Sequence, residues 1–138
     1  MPKMTGGCLC GAINYSVDAE PMFMGVCHCK DCQRSTGSAF EPVVAVPDAT
    51  FSMKGTAKSY ASKGASGGAV NRTFCPECGS RLTARAETMP GTVMLLAGTM
   101  DDASQFKPAM QIFCDSAQPW VELGGQMQKF ARMPGAPG

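Results

Sequence analysis

Seven of the eight cysteines fall in three tight groups, Cys8-Leu9-Cys10, Cys27-His28-Cys29-Lys30-Asp31-Cys32 and Cys75-Pro76-Glu77-Cys78. Thiols one or two residues apart are poor disulfide partners, because they close almost no loop and strain the bond. Metal binding wants the opposite: two thiolates delivered from one short turn, so that placing the first nearly places the second. A disulfide framework would also belong to an exported chain. The start, MPKMTGGCLC, has no apolar core of a signal peptide. Zinc is therefore the expected partner of these sulfurs.

Three groups supply seven ligands, and a structural zinc takes four. Phe74-Cys75-Pro76-Glu77-Cys78-Gly79 has the form of a zinc knuckle, with Pro76 fixing the turn and Gly79 free to take positive φ. Cys8 and Cys10 would complete four ligands with Cys75 and Cys78, leaving Cys27, Cys29 and Cys32 as a set of three. Three protein ligands and a vacant fourth position are the arrangement of a catalytic zinc. Cys27 and Cys29 with Cys75 and Cys78 would also close a site, at the expense of stranding Cys32. Cys114 is available as an eighth ligand, but alternation in Met110-Gln111-Ile112-Phe113-Cys114 places it with Met110 and Ile112, and a buried core thiol is the reading favoured here.

Three thiolates on a divalent ion leave a unit charge of −1, which acidifies a bound water less than a histidine-held zinc does. Hydrolysis is a poor match for such a centre. It suits capture of an external thiol as thiolate, which then attacks a small carbonyl carbon or leaves it in reverse. The excess negative charge needs compensation, for which Lys30 and Arg34 flank the trio and Arg72 and Arg81 flank the knuckle; each alone reads as an ordinary surface charge. His28, the only histidine, is placed beside the site, supporting the ligands from behind, turned to substrate, or simply exposed. Gln33, Ser35, Ser38 and Phe40 follow the trio and are the expected pocket lining. Glu41 or a water is available for proton transfer. Trp120 is expected in the core.

The elements that must hold these groups are short strands. Gly and Pro make up 26 of 138 residues, and charged residues only 17%, which argues against a helical bundle and for strands joined by tight turns. Strands are predicted at 11–17, 23–27, 39–46, 50–54, 58–62, 70–74, 81–86, 92–97 and 110–114. A helical turn is predicted over 30–36 with Gly37 as its stop, a flexible loop over 63–68 and a further helical turn beginning at 101–104. The chain thus reads as all-β, a zinc-clamped sheet system with short helical turns. One domain is expected over residues 1–132, with a flexible tail at 133–138.

A formal charge of +1, which seven thiolates and two zinc ions would bring to −2, excludes a polybasic face for nucleic acid. The longest apolar run, 93–97, is too short for a membrane span. A soluble, cytoplasmic protein is expected.

Taken in order, GGCLCGAINYSV, CHCKDCQRSTGSAF, TFCPECGSRL and MQIFCDSAQPWVEL resemble the glutathione-dependent formaldehyde-activating enzyme family, whose domain centromere protein V shares. The resemblance runs from about Thr5 to Phe130. It implies a β-tent or sandwich like that of the Rab-exchange-factor Mss family, with two zinc ions. By that resemblance Cys8, Cys10, Cys75 and Cys78 hold the structural ion, and Cys27, Cys29 and Cys32 the catalytic one. The implied activity is carbon–sulfur lyase chemistry on glutathione and formaldehyde, through S-(hydroxymethyl)glutathione. The family usually has an apolar residue at the position of Cys114, in keeping with the core reading. The rival reading is a noncatalytic zinc-stabilised binding module.

Overall fold

Alternating apolar side chains give one buried face per strand, and two such faces meet in the centre of this protein. The structure is a computed structural model that describes residues 2–134. Of the tail expected at 133–138, residues 135–138 lie outside the described residues. The fold is mainly β, as the pattern predicts, with eleven strands in two sheets, one α-helix and short 3-10 turns among the described residues.

The smaller sheet is antiparallel, with β1 (Met4–Gly7), β2 (Asn14–Val17) and β5 (Phe51–Lys54) in that order. The larger contains β3 (Phe23–Cys27), β4 (Glu41–Pro47), β6 (Lys58–Lys63), β7 (Ala69–Phe74), β8 (Arg81–Ala86), β9 (Thr92–Leu96), β10 (Met110–Ile112) and β11 (Gln128–Lys129). Its order is β11-β10-β3-β4-β9-β8-β7-β6, and β10 runs parallel to both its neighbours. The helix α1 (Lys30–Thr36) joins β3 to β4. No helix among the described residues is long and apolar enough to cross a membrane.

Register decides what each face carries. Val44 pairs with Leu95 and Val46 with Val93, so four aliphatic side chains project from one face of the large sheet. They pack on Met4, Tyr15 and Val17 of the small sheet, with Phe51 and Met53 at the margin. Each fully buried aliphatic contributes about 1.5–3 kcal/mol, making this the main core. A second apolar cluster, of Ile13, Cys75 and Leu82, sits where the sheets are joined by cysteines.

Strand β1 escapes prediction because Met4-Thr5-Gly6-Gly7 has little β propensity of its own. Its place is set by packing: a Cβ on Gly6 would strike the Tyr15 hydroxyl and the Thr99 carbonyl. Tyr15 Oη is hydrogen-bonded to Thr99 Oγ1 at 2.8 Å, and Gly6 bridges to Met100. Gly6→Ala is therefore expected to destabilise the protein by about 1–3 kcal/mol through overpacking, read as a lower urea midpoint with an unchanged slope.

Two expectations are overturned. Strand β10 ends at Ile112 because Phe113 adopts φ 54, left-handed backbone that stops the alternation. Cys114 consequently lies half-buried in a 3-10 turn, its Sγ against the Gln111 carbonyl at 3.5 Å, instead of sharing the buried face with Ile112. Trp120 is 72% exposed and packs in no core cluster, because its segment after Pro119 forms no regular element.

Candidate metal centres

The chain brings its cysteines together in two groups, and within each group all Sγ atoms lie within 4.8 Å of one another. None of the eight is in a disulfide. The first group is Cys8, Cys10, Cys75 and Cys78; the second is Cys27, Cys29 and Cys32. Cys75 and Cys78 are thus not paired with Cys27 and Cys29, and Cys114 joins neither group.

Two turns build the four-cysteine group. After β1 the chain reverses through Cys8-Leu9-Cys10-Gly11, with Gly11 at φ 83 and its N–H on the Cys8 carbonyl at 3.2 Å. Between β7 and β8, the Gly79 N–H donates to the Cys75 carbonyl at 2.8 Å, with Gly79 at φ 78. The Ile13 N–H donates to Cys8 Sγ at 3.2 Å, a bond that favours thiolate over thiol. Ser80 links the turns: its Oγ accepts from the Leu9 N–H at 3.0 Å, leaving its own hydrogen for Cys78 Sγ at 3.2 Å. That hydroxyl bond, with help from the backbone, lowers the Cys78 pKa to about 5. Ser80 was not foreseen; its signal is a hydroxyl two residues beyond the second sulfur of the knuckle.

The spacing itself tests for a metal. A tetrahedral ion with metal–sulfur bonds of about 2.3 Å sets its sulfurs about 3.8 Å apart. Cys8 and Cys10 are separated by 3.7 Å, and Cys10 and Cys75 by 3.8 Å. These distances are far beyond an S–S bond of about 2.05 Å and match the edge of such a tetrahedron. The four sulfurs fit zinc.

The three-cysteine group is built by a strand end and a helix start. Cys27 closes β3. Cys29 is the N-cap of α1, its Sγ accepting from the Cys32 N–H at 3.2 Å, and Cys32 lies in the first turn. Gly37, at φ 72, ends the helix where predicted. Cys27 and Cys32 are buried and Cys29 is half-buried, so Cys29 marks the more accessible side. Crowding splits the thiols: bonds from Cys27 and Cys32 pull Cys29 down to about 3, whereas Cys29 pushes Cys27 up to about 12 and both neighbours raise Cys32. Three soft donors that cannot all ionise unaided are a donor set for a thiophilic cation.

His28 is 1% exposed, which overturns simple exposure beside the site. Its Nε2–H donates to Gln111 Oε1 at 2.9 Å, and its Nδ1 is a buried acceptor without a partner among the described residues. Gln33 is a clip: its Nε2 donates to the carbonyls of His28 at 2.6 Å and Ser116 at 3.0 Å, while its Oε1 accepts from Gln118 at 2.7 Å. Ser35 Oγ turns back onto the Cys32 carbonyl at 3.4 Å. A cavity of about 530 Å³ is lined by Gln33, Ser38 and Phe40 together with Gln118, Trp120 and Val121. Neither Ser35 nor a trio cysteine lines it.

The charges around the trio come from distant strands. Cys27 pairs with Glu41, Ala45 with Met94, Met94 with Ala84 and Ala84 with Arg72. Alternation along β4 therefore puts Cys27, Glu41 and Arg72 on one face of the large sheet. A register slip places Arg81, instead of Leu82, opposite Phe74. This bulge turns Arg81 onto the same face. Arg81 Nη2 reaches Glu41 Oε1 at 3.3 Å, and Glu41 Oε2 meets Cys32 Sγ at 3.5 Å. Arg72 and Arg81, which sequence attaches to the knuckle as surface charges, are instead largely buried on the face of the trio; Lys30 and Arg34 are exposed as expected.

The model of the family described as glutathione-dependent formaldehyde-activating enzyme matches residues 3–116. A crystal structure of a Rhodobacter sphaeroides protein has a similar fold, with a TM-score of 0.58 and 20% identity over 71% of this chain and 88% of that one. No curated protein matches the chain.

Proposed function

The chain belongs to the glutathione-dependent formaldehyde-activating enzyme family, and from that premise we propose that it is a zinc-dependent carbon–sulfur lyase of the cytoplasm. It would join a small thiol to a small aldehyde, and split the adduct in reverse. Glutathione and formaldehyde are the substrates the family suggests, with S-(hydroxymethyl)glutathione as their adduct.

The observation that carries this reading is the inequality of the two cysteine groups, four sulfurs in one and three in the other. In the proposal Cys8, Cys10, Cys75 and Cys78 fill every position of a structural zinc. Cys27, Cys29 and Cys32 hold the second zinc, which when bound supplies Lewis acidity and one coordination position for a substrate sulfur. The protein's part is positioning. Gln33 ties α1 to the Ser116 and Gln118 segment, so the three sulfurs keep their spacing. The cavity at Ser38, Phe40 and Trp120 receives the unreactive part of the thiol; at about 530 Å³ it lies within the usual size of small-molecule sites.

In the forward reaction a bond forms between the thiol sulfur and the aldehyde carbon. The thiol loses its proton and the carbonyl oxygen gains one, so nothing else is released. Glu41, a buried carboxylate against Cys32, is the side chain proposed to carry that proton. A noncatalytic module sealed by Cys114 finds no support, since Cys114 lies outside the trio.

Adduct exchange between glutathione and formaldehyde, followed by NMR, tests the proposal. The wild type is expected to accelerate exchange roughly a hundredfold or more, and Cys32→Ser to abolish the gain. Equal rates for the two proteins would remove the catalytic reading. Metal analysis should find about two zinc ions per chain, the trio's ion leaving first to a chelator.

A further inference from the structure

The cavity beside α1 has a one-sided chemistry. Glu122 is the single charged residue of its lining, and no lysine, arginine or histidine among the described residues lines it. Its hydrogen-bond donors are largely engaged. Both amide hydrogens of Gln33 go to carbonyls, of His28 and Ser116, and one of Gln118 goes to Gln33 Oε1. The backbone N–H groups of Gly37, Ser38 and Val121 are likewise committed, to the Gln33 carbonyl at 2.8 Å, Thr36 Oγ1 at 3.1 Å and the Gln118 carbonyl at 3.1 Å. What the wall still presents to a ligand is mainly acceptors, the Glu122 carboxylate and the Gln118 Oε1, besides the Ser38 hydroxyl, which serves either way.

Two aromatic rings complete the wall. Phe40 packs against His28, with ring centroids 6.0 Å apart, whereas Trp120 stands 72% exposed and belongs to no core cluster. An indole ring left in water forgoes the free energy of burial; on the wall of a cavity, two residues from a carboxylate, it can be covered by a ligand instead. An aromatic face and a carboxylate together hold a cationic nitrogen. A carboxylate ligand, by contrast, meets no cation and few free N–H groups here. We propose that the thiol selected by this cavity carries an ammonium group, bound at Trp120 and Glu122, and that a thiol with a carboxylate in that place is disfavoured. The proposal rests on the reading of the cavity as the seat of the thiol's unreactive part, and adds the charge of that part. Glutathione satisfies it only in part, since its ammonium shares a carbon with a carboxylate and a second carboxylate ends the molecule.

Trp120 is the chain's only tryptophan, so its fluorescence reports on the cavity without involving the trio. The probes are short ω-trimethylammonioalkanethiols and mercaptoalkanoates of matched length, the nitrogen being trimethylated so that it cannot itself add to an aldehyde. Their S-methyl ethers, which have no thiol to bind a metal as thiolate, are titrated into the full zinc-loaded chain. The best ammonium ether is expected to give a saturable change at about millimolar concentration, and the carboxylate ether of that length none up to roughly ten times more. Glu122→Lys is expected to reverse the order. Both Trp120 and Glu122 are exposed, so substitution there leaves the core packing in place.

The thiols themselves test selection in turnover, by NMR exchange with formaldehyde. The two classes differ in intrinsic acidity, so the quantity read is the ammonium-to-carboxylate ratio of kcat/KM in the wild type divided by that ratio in the variant, in which the difference cancels. Glu122→Lys should lower the preference for the ammonium thiol roughly tenfold or more and Glu122→Gln several-fold. Trp120→Leu should lower it about two- to fivefold. A preference that Glu122→Lys leaves unmoved, or carboxylate ethers that saturate Trp120 as readily as ammonium ethers, would overturn the proposal. Failure of the lyase reading looks different: no thiol is turned over, while the fluorescence order and its reversal by Glu122→Lys persist and the ammonium site stands. Turnover of both thiol classes with an unmoved ratio does the opposite, removing the ammonium site and leaving the lyase reading intact.

Discussion

Cys75→Ser is expected to unfold the protein, with loss of NMR dispersion and of the cooperative thermal transition. The four-cysteine group ties the turn after β1 to the turn between β7 and β8, across the 64 residues that separate Cys10 from Cys75. Closing so long a segment is entropically costly, and few apolar contacts accompany it: the adjoining cluster has only Ile13, Cys75 and Leu82 fully buried. A structural zinc contributes about 10–16 kcal/mol of apparent binding free energy, whereas domains of this kind have net stabilities of about 5–15 kcal/mol. Losing one of four sulfurs, and the fully buried one at that, removes enough of that term to exceed the remainder. Cys114→Ser is the control. Cys114 is half-buried and belongs to neither group, so its melting temperature should stay close to that of the wild type. A Cys75→Ser protein that melts like the Cys114 variant would show that the clamp does not hold the fold together.

Cys29→Ser is expected to do the reverse, sparing the fold and removing the chemistry. Serine is a favoured N-cap, and its hydroxyl can accept the Cys32 N–H that Cys29 Sγ now accepts. Helix α1 should therefore persist, with a change in stability within about 1 kcal/mol. The metal centre should not persist, since two thiolates and a neutral hydroxyl are a much weaker donor set for zinc. The expected result is one zinc per chain instead of two, together with a fall in kcat/KM of about a thousandfold or more, a loss of transition-state stabilisation of about 4 kcal/mol. Thermal melting, metal analysis and kinetics on the same preparation check all three parts. A folded variant that keeps both metals and its rate would exclude Cys29 as a ligand.

These contrasting outcomes follow from spacing that was legible in the chain. Paired thiols on short turns, Gly79 after the knuckle and Gly37 after the helix announce local geometry, because each constraint acts within a few residues. Most strands were legible for the same reason; β3 and β8 have their predicted bounds. What escaped depends on pairing between remote segments. Strand β1 forms because Tyr15 and Met100 accept its glycines, not because Met4–Gly7 prefers extended backbone. Cys114 leaves its expected face because a single left-handed residue, Phe113, interrupts the alternation. Arg81 reaches Glu41, beside the trio, only through a register slip against β7, which nothing local encodes. His28 looks like an exposed neighbour of two cysteines until Gln111, 83 residues away, is seen to hold its ring.

The account depends most on the trio presenting one unfilled position to an external sulfur. Zinc-edge X-ray absorption on the fully loaded wild type, before and after glutathione, measures that directly. With four sulfurs at one site and three at the other, the average should start near about 3.5 sulfurs per zinc and rise to about 4 on adding the thiol. An average already at 4 without glutathione, or one that glutathione leaves unchanged, would contradict the account.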